Sequence, residues 1–186
     1  MGAGKSTALA ALEQLGAATL STDAVVHELY GTPEVRDAVV ARWGAAVAPE
    51  GVIDRAAVAA HAFAMADERA WLEGELWPRV AARVTAWLAE VGERSPPPAA
   101  AVVEPPLMFE AGMDGAYDAT IAVIADERVR AARAAARGHV AADERAARQL
   151  TQAEKARRAT FVVDNSGSVE DLAQHLSAIL ARLRSP

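Results

Sequence analysis

The stretch Met1-Gly2-Ala3-Gly4-Lys5-Ser6-Thr7, followed by Ala8-Leu9-Ala10-Ala11-Leu12-Glu13-Gln14-Leu15-Gly16, decides how the rest of the chain is read. The first seven residues carry the second half of the pattern GxxxxGK[ST], a glycine-rich turn that runs straight into a helix. Such a turn points several backbone N–H groups at one spot, where the helix dipole also favours negative charge. At Gly4 a Cβ would keep the backbone away from a phosphate. Lys5 can bridge the β- and γ-phosphates of a nucleotide, and the Ser6 hydroxyl can ligate Mg²⁺. Gly2, Ala3, Gly4, Lys5, Ser6 and Thr7 are therefore the candidate nucleotide-binding residues, with ATP and Mg²⁺ as the expected cofactors. A plain glycine-containing tail ahead of an ordinary helix is the alternative, but it does not call for Lys-Ser-Thr directly after the glycine. The apolar spacing places Leu9, Leu12 and Leu15 on the inward face of helix 8–15, with Gly16 as its C-cap. The full pattern has a further glycine and a buried strand upstream of Ala3, so the sequence predicts a natural start about ten residues before Met1.

Beyond the loop, strand and helix alternate. Residues 17–21 form a short apolar run ending near Asp23, which suggests a strand with a carboxylate just past its C-terminal edge, where open α/β sheets bind ligands. A helix over 24–30 is broken by Gly31-Thr32-Pro33, and a second covers 34–43. Asp54 is placed to cap a helix carrying Val58, Ala62 and Met65. From Asp67 to Val91 the pattern is helical, with Trp71, Leu72, Leu76, Val80, Val84, Trp87, Leu88 and Val91 near one face, and Pro78 is expected to kink or divide it. Ser95-Pro96-Pro97-Pro98 is a loop. Strands are expected at 99–103, ending at Glu104-Pro105-Pro106, at 119–125 and at 160–163. Residues 127–158 are helical and rich in arginine, and a C-terminal helix turns Leu172, Leu176, Ile179 and Leu183 inward. The fold class is α/β, a three-layer α/β/α arrangement with a parallel sheet. It reads as one domain over 1–186, with a core of 1–32, 96–126 and 159–186, a helical insert at 33–95 and arginine-bearing helices at 127–158.

Composition narrows the function. Basic residues number 19 against 25 acidic, a net charge of -6, which speaks against a general nucleic-acid binder. With no cysteine there are no disulfides, thiol nucleophiles or thiolate metal sites. No apolar run is long enough for a membrane span and no secretory signal opens the chain, so the expectation is a cytoplasmic protein without membrane partners. The only lysines are Lys5 and Lys155; every other basic side chain is arginine or histidine. The four histidines, His27, His61, His139 and His175, show no metal-ligand spacing. The four tryptophans, Trp43, Trp71, Trp77 and Trp87, are expected in packing rather than in a stacking platform.

Two further candidates for chemistry follow. Asp23, at a strand end beside a phosphate loop, can accept the proton of a hydroxyl attacking a γ-phosphate, or bind Mg²⁺ through water; its bland role is to cap helix 24–30. In the arginine-rich stretch, guanidinium groups on a helical lid can clamp phosphates, although most side chains in a charge run face solvent. Arg137, just before Gly138-His139, is the first choice there.

The ordered series of motifs resembles the dephospho-coenzyme A kinase family over essentially the whole chain. The residues that carry it are Gly2-Ala3-Gly4-Lys5-Ser6-Thr7, Leu15-Gly16, Asp23, Gly51-Val52-Ile53-Asp54-Arg55, Phe63, Leu72-Glu73 and Pro78. Glu104-Pro105-Pro106-Leu107-Met108-Phe109-Glu110, Gln149 and Asp164-Asn165-Ser166-Gly167-Ser168 complete it. The resemblance implies a phosphate-loop kinase that transfers the γ-phosphate of ATP to the 3′-hydroxyl of dephospho-coenzyme A. It implies Asp23 as general base, Gly2–Thr7 as the ATP site, the insert 33–95 as the acceptor site and Arg137 in the lid. The partner is then a small molecule, and the protein a monomer or weak homo-oligomer. The chain departs from the family in having Ser21-Thr22-Asp23 for Asp-Ala-Asp, Trp77 for the histidine of His-Pro, and Thr160 for an aspartate. A kinase of the shikimate or gluconate type, or a nucleotide-binding domain without turnover, are the alternatives.

Overall fold

The computed structural model describes residues 2–136 and 149–184. The chain divides into two compact units, one built from residues 1–19 and 94–186 and the other from 20–93.

The first unit begins with α1 (Lys5–Gln14), which starts three residues earlier than the apolar spacing suggested because the Lys-Ser-Thr turn is already helical. Its buried stripe is Ala8, Ala11 and Leu12, with Leu15 partly buried. Gly16, at φ +86°, lets the helix end in a reversed turn: its N–H donates to the Glu13 carbonyl and that of Ala17 to the Leu12 carbonyl. The turn delivers the chain into β1 (Ala18–Ser21), where the Ala18 N–H donates to Ala100 O beside β2 (Ala101–Glu104). Downstream, β3 (Ile121–Ile124) pairs in parallel with β4 (Phe161–Asp164), Ile121 opposite Phe161 and Ile124 opposite Asp164. Among the described residues β1 pairs with β2 and β3 with β4, as two separate two-stranded sheets. Among the described residues each strand pairs with one other, and Val102, Ile121 and Val123 are half-buried against the core.

Thr160 sets the start of the β3–β4 register. Its hydroxyl accepts the Thr120 N–H and its own N–H donates to the Thr120 hydroxyl, both at 3.0 Å. After β3 come α6 (Glu127–Ala136) and α7 (Gln152–Arg158). Gln152 grips Ala125 at two points, accepting its N–H and donating to its carbonyl, each at 2.9 Å. The last helix, α8 (Val169–Leu183), opens with a Ser168–Asp171 capping box. Leu172, Leu176, Ile179 and Leu180 are buried, with α1 packed alongside. Leu183, in the final turn of the helix, is 42% exposed although it falls on the same stripe. Leu176 is fully buried at the centre of this core. Leu176→Ala is expected to cost about 2–5 kcal/mol in urea unfolding, from lost transfer energy and the cavity left behind; a loss under about 1 kcal/mol would place the core elsewhere.

The second unit is helical after the end of β1: α2 (Thr22–Tyr30), α3 (Pro33–Trp43), α4 (Arg55–Ala64) and α5 (Ala66–Gly92). Asp54 caps α4 as expected, accepting the N–H groups of Ala56 and Ala57. Pro78 neither divides nor ends α5, which runs unbroken for 27 residues. An interior proline costs about 3 kcal/mol. Burial of Leu72 and Leu76 before it, and of Trp87 and Val91 after it, outweighs that cost. The core is Val35, Val39, Val47, Val58, Ala62, Leu72 and Leu76. Above it Trp43 stacks on His61 with ring centres 5.4 Å apart and meets Trp71 edge-on at 5.1 Å. Glu68 of α5 ties to α3 there, accepting from Trp43 Nε1 and from two nitrogens of Arg42. Three of the tryptophans therefore pack as expected, but Trp77 is 59% exposed.

Candidate active site

Gly2–Thr7 form the turn that enters α1. Gly4 is the N-cap residue, left-handed at φ +88° and ψ +31°, a conformation in which any Cβ is strained. The first helical bond runs from the Ala8 N–H to Gly4 O at 2.9 Å, so the N–H groups of Lys5, Ser6 and Thr7 lie ahead of the helix ladder. Both glycines are also required by close packing. A Cβ on Gly2 would come 2.6 Å from the Arg130 carbonyl of α6, and one on Gly4 would overlap the side-chain amide nitrogen of Asn165. The loop is thus held between α6 and the turn after β4, while Lys5 and Ser6 remain exposed.

Three side chains at this loop were not singled out from the sequence. Glu104, which ends β2, places Oε1 3.5 Å from Lys5 Nζ, and its side chain is largely buried. The carboxylate thus holds the lysine at the loop, and an incoming phosphate must compete with it. Asn165 donates from Nδ2 to the Ala3 carbonyl at 2.9 Å. Arg133 donates from Nη1 to the Asn165 carbonyl at 2.9 Å, and that nitrogen is 3.7 Å from where a Gly4 Cβ would stand. Arg133 is therefore a described arginine of the 127–158 stretch that meets the loop. Arg137 lies outside the described residues, as do Arg145 and Arg148. The i, i+3 spacing of Arg130 and Arg133, which puts both on one face of α6, was the signal available.

Asp23 belongs to the second unit. It sits in the first turn of α2, since the helix begins at Thr22 with Ser21 as N-cap, and its side chain is exposed. The N-cap position, the bland alternative for Asp23, is therefore occupied by Ser21, which makes no side-chain capping hydrogen bond. Among the described residues no group of three or more histidine, aspartate or glutamate side chains is arranged to hold a metal ion. No helix among them is long and apolar enough to cross a membrane.

The Glu104–Glu110 segment is a brace. Phe109 is buried, with the Arg158 guanidinium 5.4 Å from its ring centre. Glu110 Oε1 lies 2.9 Å from Lys155 Nζ and accepts the Leu150 N–H at 2.8 Å, which secures α7 and the residues before it. Burial pushes the Glu110 carboxyl up, but the hydrogen bonds from Lys155, its own backbone and Leu150 outweigh that and leave it below the usual carboxylate range. A lowered folded value means stabilisation that is present above the unfolded pKa of about 4.3 and is lost as pH falls through the folded value. The stability difference between wild type and Glu110→Gln is therefore expected to shrink as unfolding is measured from neutral pH down into that acid range. A constant difference would remove the ionised pair as its source.

A glycine-rich loop at a helix N-terminus, its lysine aimed by a strand-end carboxylate within an α/β unit, defines a phosphate-loop phosphotransferase. The model of the dephospho-CoA kinase family matches residues 1–171. A dephospho-CoA kinase of Deinococcus radiodurans is 38% identical over 186 aligned residues, spanning 98% of this chain and 88% of that protein. A crystal structure from Thermus thermophilus, 31% identical, matches 100% of this chain and 94% of its own with a TM-score of 0.72. The dephospho-CoA kinase of Campylobacter jejuni, at 22% identity and a TM-score of 0.69, shares the fold over 98% of this chain and 92% of its own. The chain belongs to the dephospho-CoA kinase family, ATP-dependent phosphotransferases of coenzyme A biosynthesis.

Proposed function

We propose that this chain transfers the γ-phosphoryl group of ATP to the 3′-hydroxyl of the dephospho-coenzyme A ribose. The observation that carries the reading is the Gly2–Thr7 cradle, with Gly4 left-handed and Lys5 exposed at the mouth of α1. Its N–H groups would hold the phosphates and Lys5 would bridge β and γ. The acceptor oxygen attacks the γ-phosphorus and its proton passes to the Asp23 carboxylate. The bond from the γ-phosphorus to the β,γ-bridging oxygen breaks, and ADP leaves with the electron pair.

Mg²⁺ fits this site because the exposed Ser6 hydroxyl stands beside the phosphate cradle; when bound it would neutralise charge developing on the β- and γ-oxygens. Arg137 is assigned to the lid, where its guanidinium would clamp the transferring phosphate. The helical insert 33–95, within a single kinase domain over 1–186, is assigned to the acceptor. Trp77, exposed where the family has a histidine, offers the acceptor an aromatic face in its place. The protein works in the cytoplasm, as a monomer or weak homo-oligomer, without nucleic-acid or membrane partners.

ATP consumption measured with dephospho-coenzyme A, shikimate or gluconate as acceptor tests the assignment. Turnover with dephospho-coenzyme A alone supports it. Turnover with a different acceptor, or ATP binding without turnover on any, refutes it.

A further inference from the structure

The buried amide of Asn165 carries an inference that deepens the nucleotide-site reading and rests on it. Asn165 is 3% exposed and lies 162 positions from the loop residue it touches. Three bonds fix it. Its backbone N–H donates to Ile124 O at 2.7 Å, which prolongs the β3–β4 pairing by one residue. Its carbonyl accepts Arg133 Nη1 at 2.9 Å. With the backbone so held, Nδ2 is delivered to Ala3 O at 2.9 Å, and the same nitrogen fills the space a Cβ on Gly4 would need.

We infer that Asn165 is a positioning residue for nucleotide, holding the Ala3 carbonyl turned onto its own amide so that the phosphate cradle presents N–H groups. A carbonyl is the negative end of a dipole, and one swung toward a bound phosphate would oppose it as strongly as an N–H attracts it. Gly4 allows the left-handed turn, but its freedom also lets that turn relax; a donor buried behind it removes the freedom. Neutral asparagine is suited to the place. An aspartate would set an acceptor against an acceptor and add negative charge beside the cradle, and alanine would leave the Ala3 carbonyl without its partner.

The test uses the whole chain with ADP binding measured by calorimetry, together with steady-state kinetics for ATP and dephospho-coenzyme A. Asn165→Ala is expected to weaken ADP binding and raise the ATP KM by about tenfold, and Asn165→Asp by more, with the dephospho-coenzyme A KM changed less than about twofold. Asn165→Ser, which keeps a donor in a smaller side chain, is expected between wild type and alanine and covers the case in which the harsher variants do not fold. Parallel changes in both KM values, or a serine variant no better than alanine, overturn the inference in favour of a merely structural role. Variants that bind ADP as wild type does overturn it too. If the wild-type chain itself binds no ADP, the cradle reading fails, and this inference with it.

Discussion

Lys5→Ala is expected to lower turnover by about 10²–10³-fold and to raise the ATP KM, because the transferring phosphoryl group loses the cation that meets its developing charge. The consequence is sharper here because Glu104 Oε1 lies 3.5 Å from Lys5 Nζ. In the variant that carboxylate remains at the mouth of the loop with its lysine gone, and its field opposes the incoming triphosphate. The double variant Lys5→Ala with Glu104→Gln is accordingly expected to recover part of the ATP affinity and little of kcat. Steady-state kinetics on the three forms, with far-UV circular dichroism to verify folding, check this. Turnover of Lys5→Ala within about threefold of wild type would remove Lys5 from the reaction.

Asp23→Asn is expected to separate binding from chemistry. The amide keeps the size and polarity of the side chain but cannot take the acceptor's proton. kcat should fall by about 10²–10⁴-fold while the ATP KM stays within about twofold. Asp23 lies inside the first turn of α2, not at its N-cap position, and its side chain is exposed, so the substitution removes no cap and opens no cavity. A loss of stability is therefore not expected to confuse the result. Equal losses in kcat and in ATP affinity would instead assign Asp23 to holding the nucleotide or its metal.

What the sequence made legible follows the range of the interactions involved. The phosphate loop is local: glycines, lysine and hydroxyls within seven residues determine both a backbone shape and its chemistry, and the structure has that turn where the motif lies. Caps are local as well, and Asp54 and Gly16 behave as their types predict. Pro78 shows the opposite case: local preference allowed a kink or a division, and burial along a 27-residue helix keeps α5 undivided. The strands were found to within two residues, but each is only four residues long. Their division into two pairs is a matter of long-range hydrogen bonding that no apolar run encodes.

The candidate site divides in the same way. Glu104, Arg133 and Asn165 reach the loop across 99, 129 and 162 positions, counting from Lys5, Gly4 and Ala3 in turn. Nothing in their own neighbourhoods reveals the destination. Glu104 ended a strand, Arg133 was one arginine among many, and Asn165 stood in a motif of the family resemblance that carried no assigned role. Thr160, one of the departures from the family pattern, has a plain structural use in its reciprocal pair with Thr120. Lysine scarcity was the more informative signal: both lysines are ion-paired to carboxylates of the Glu104–Glu110 segment, Lys5 to one end and Lys155 to the other.

The central claim is that the γ-phosphoryl group of ATP ends on the ribose 3′-oxygen of dephospho-coenzyme A. The most direct measurement incubates the chain with Mg²⁺, dephospho-coenzyme A and ATP labelled with ¹⁸O in the γ-phosphoryl group, and locates the label in the product by tandem mass spectrometry. The account predicts coenzyme A with the labelled phosphate on the 3′-position, formed at a rate that Asp23→Asn lowers by about 10²-fold or more. Labelled inorganic phosphate with the acceptor unchanged, or label at any other position of the acceptor, would contradict it.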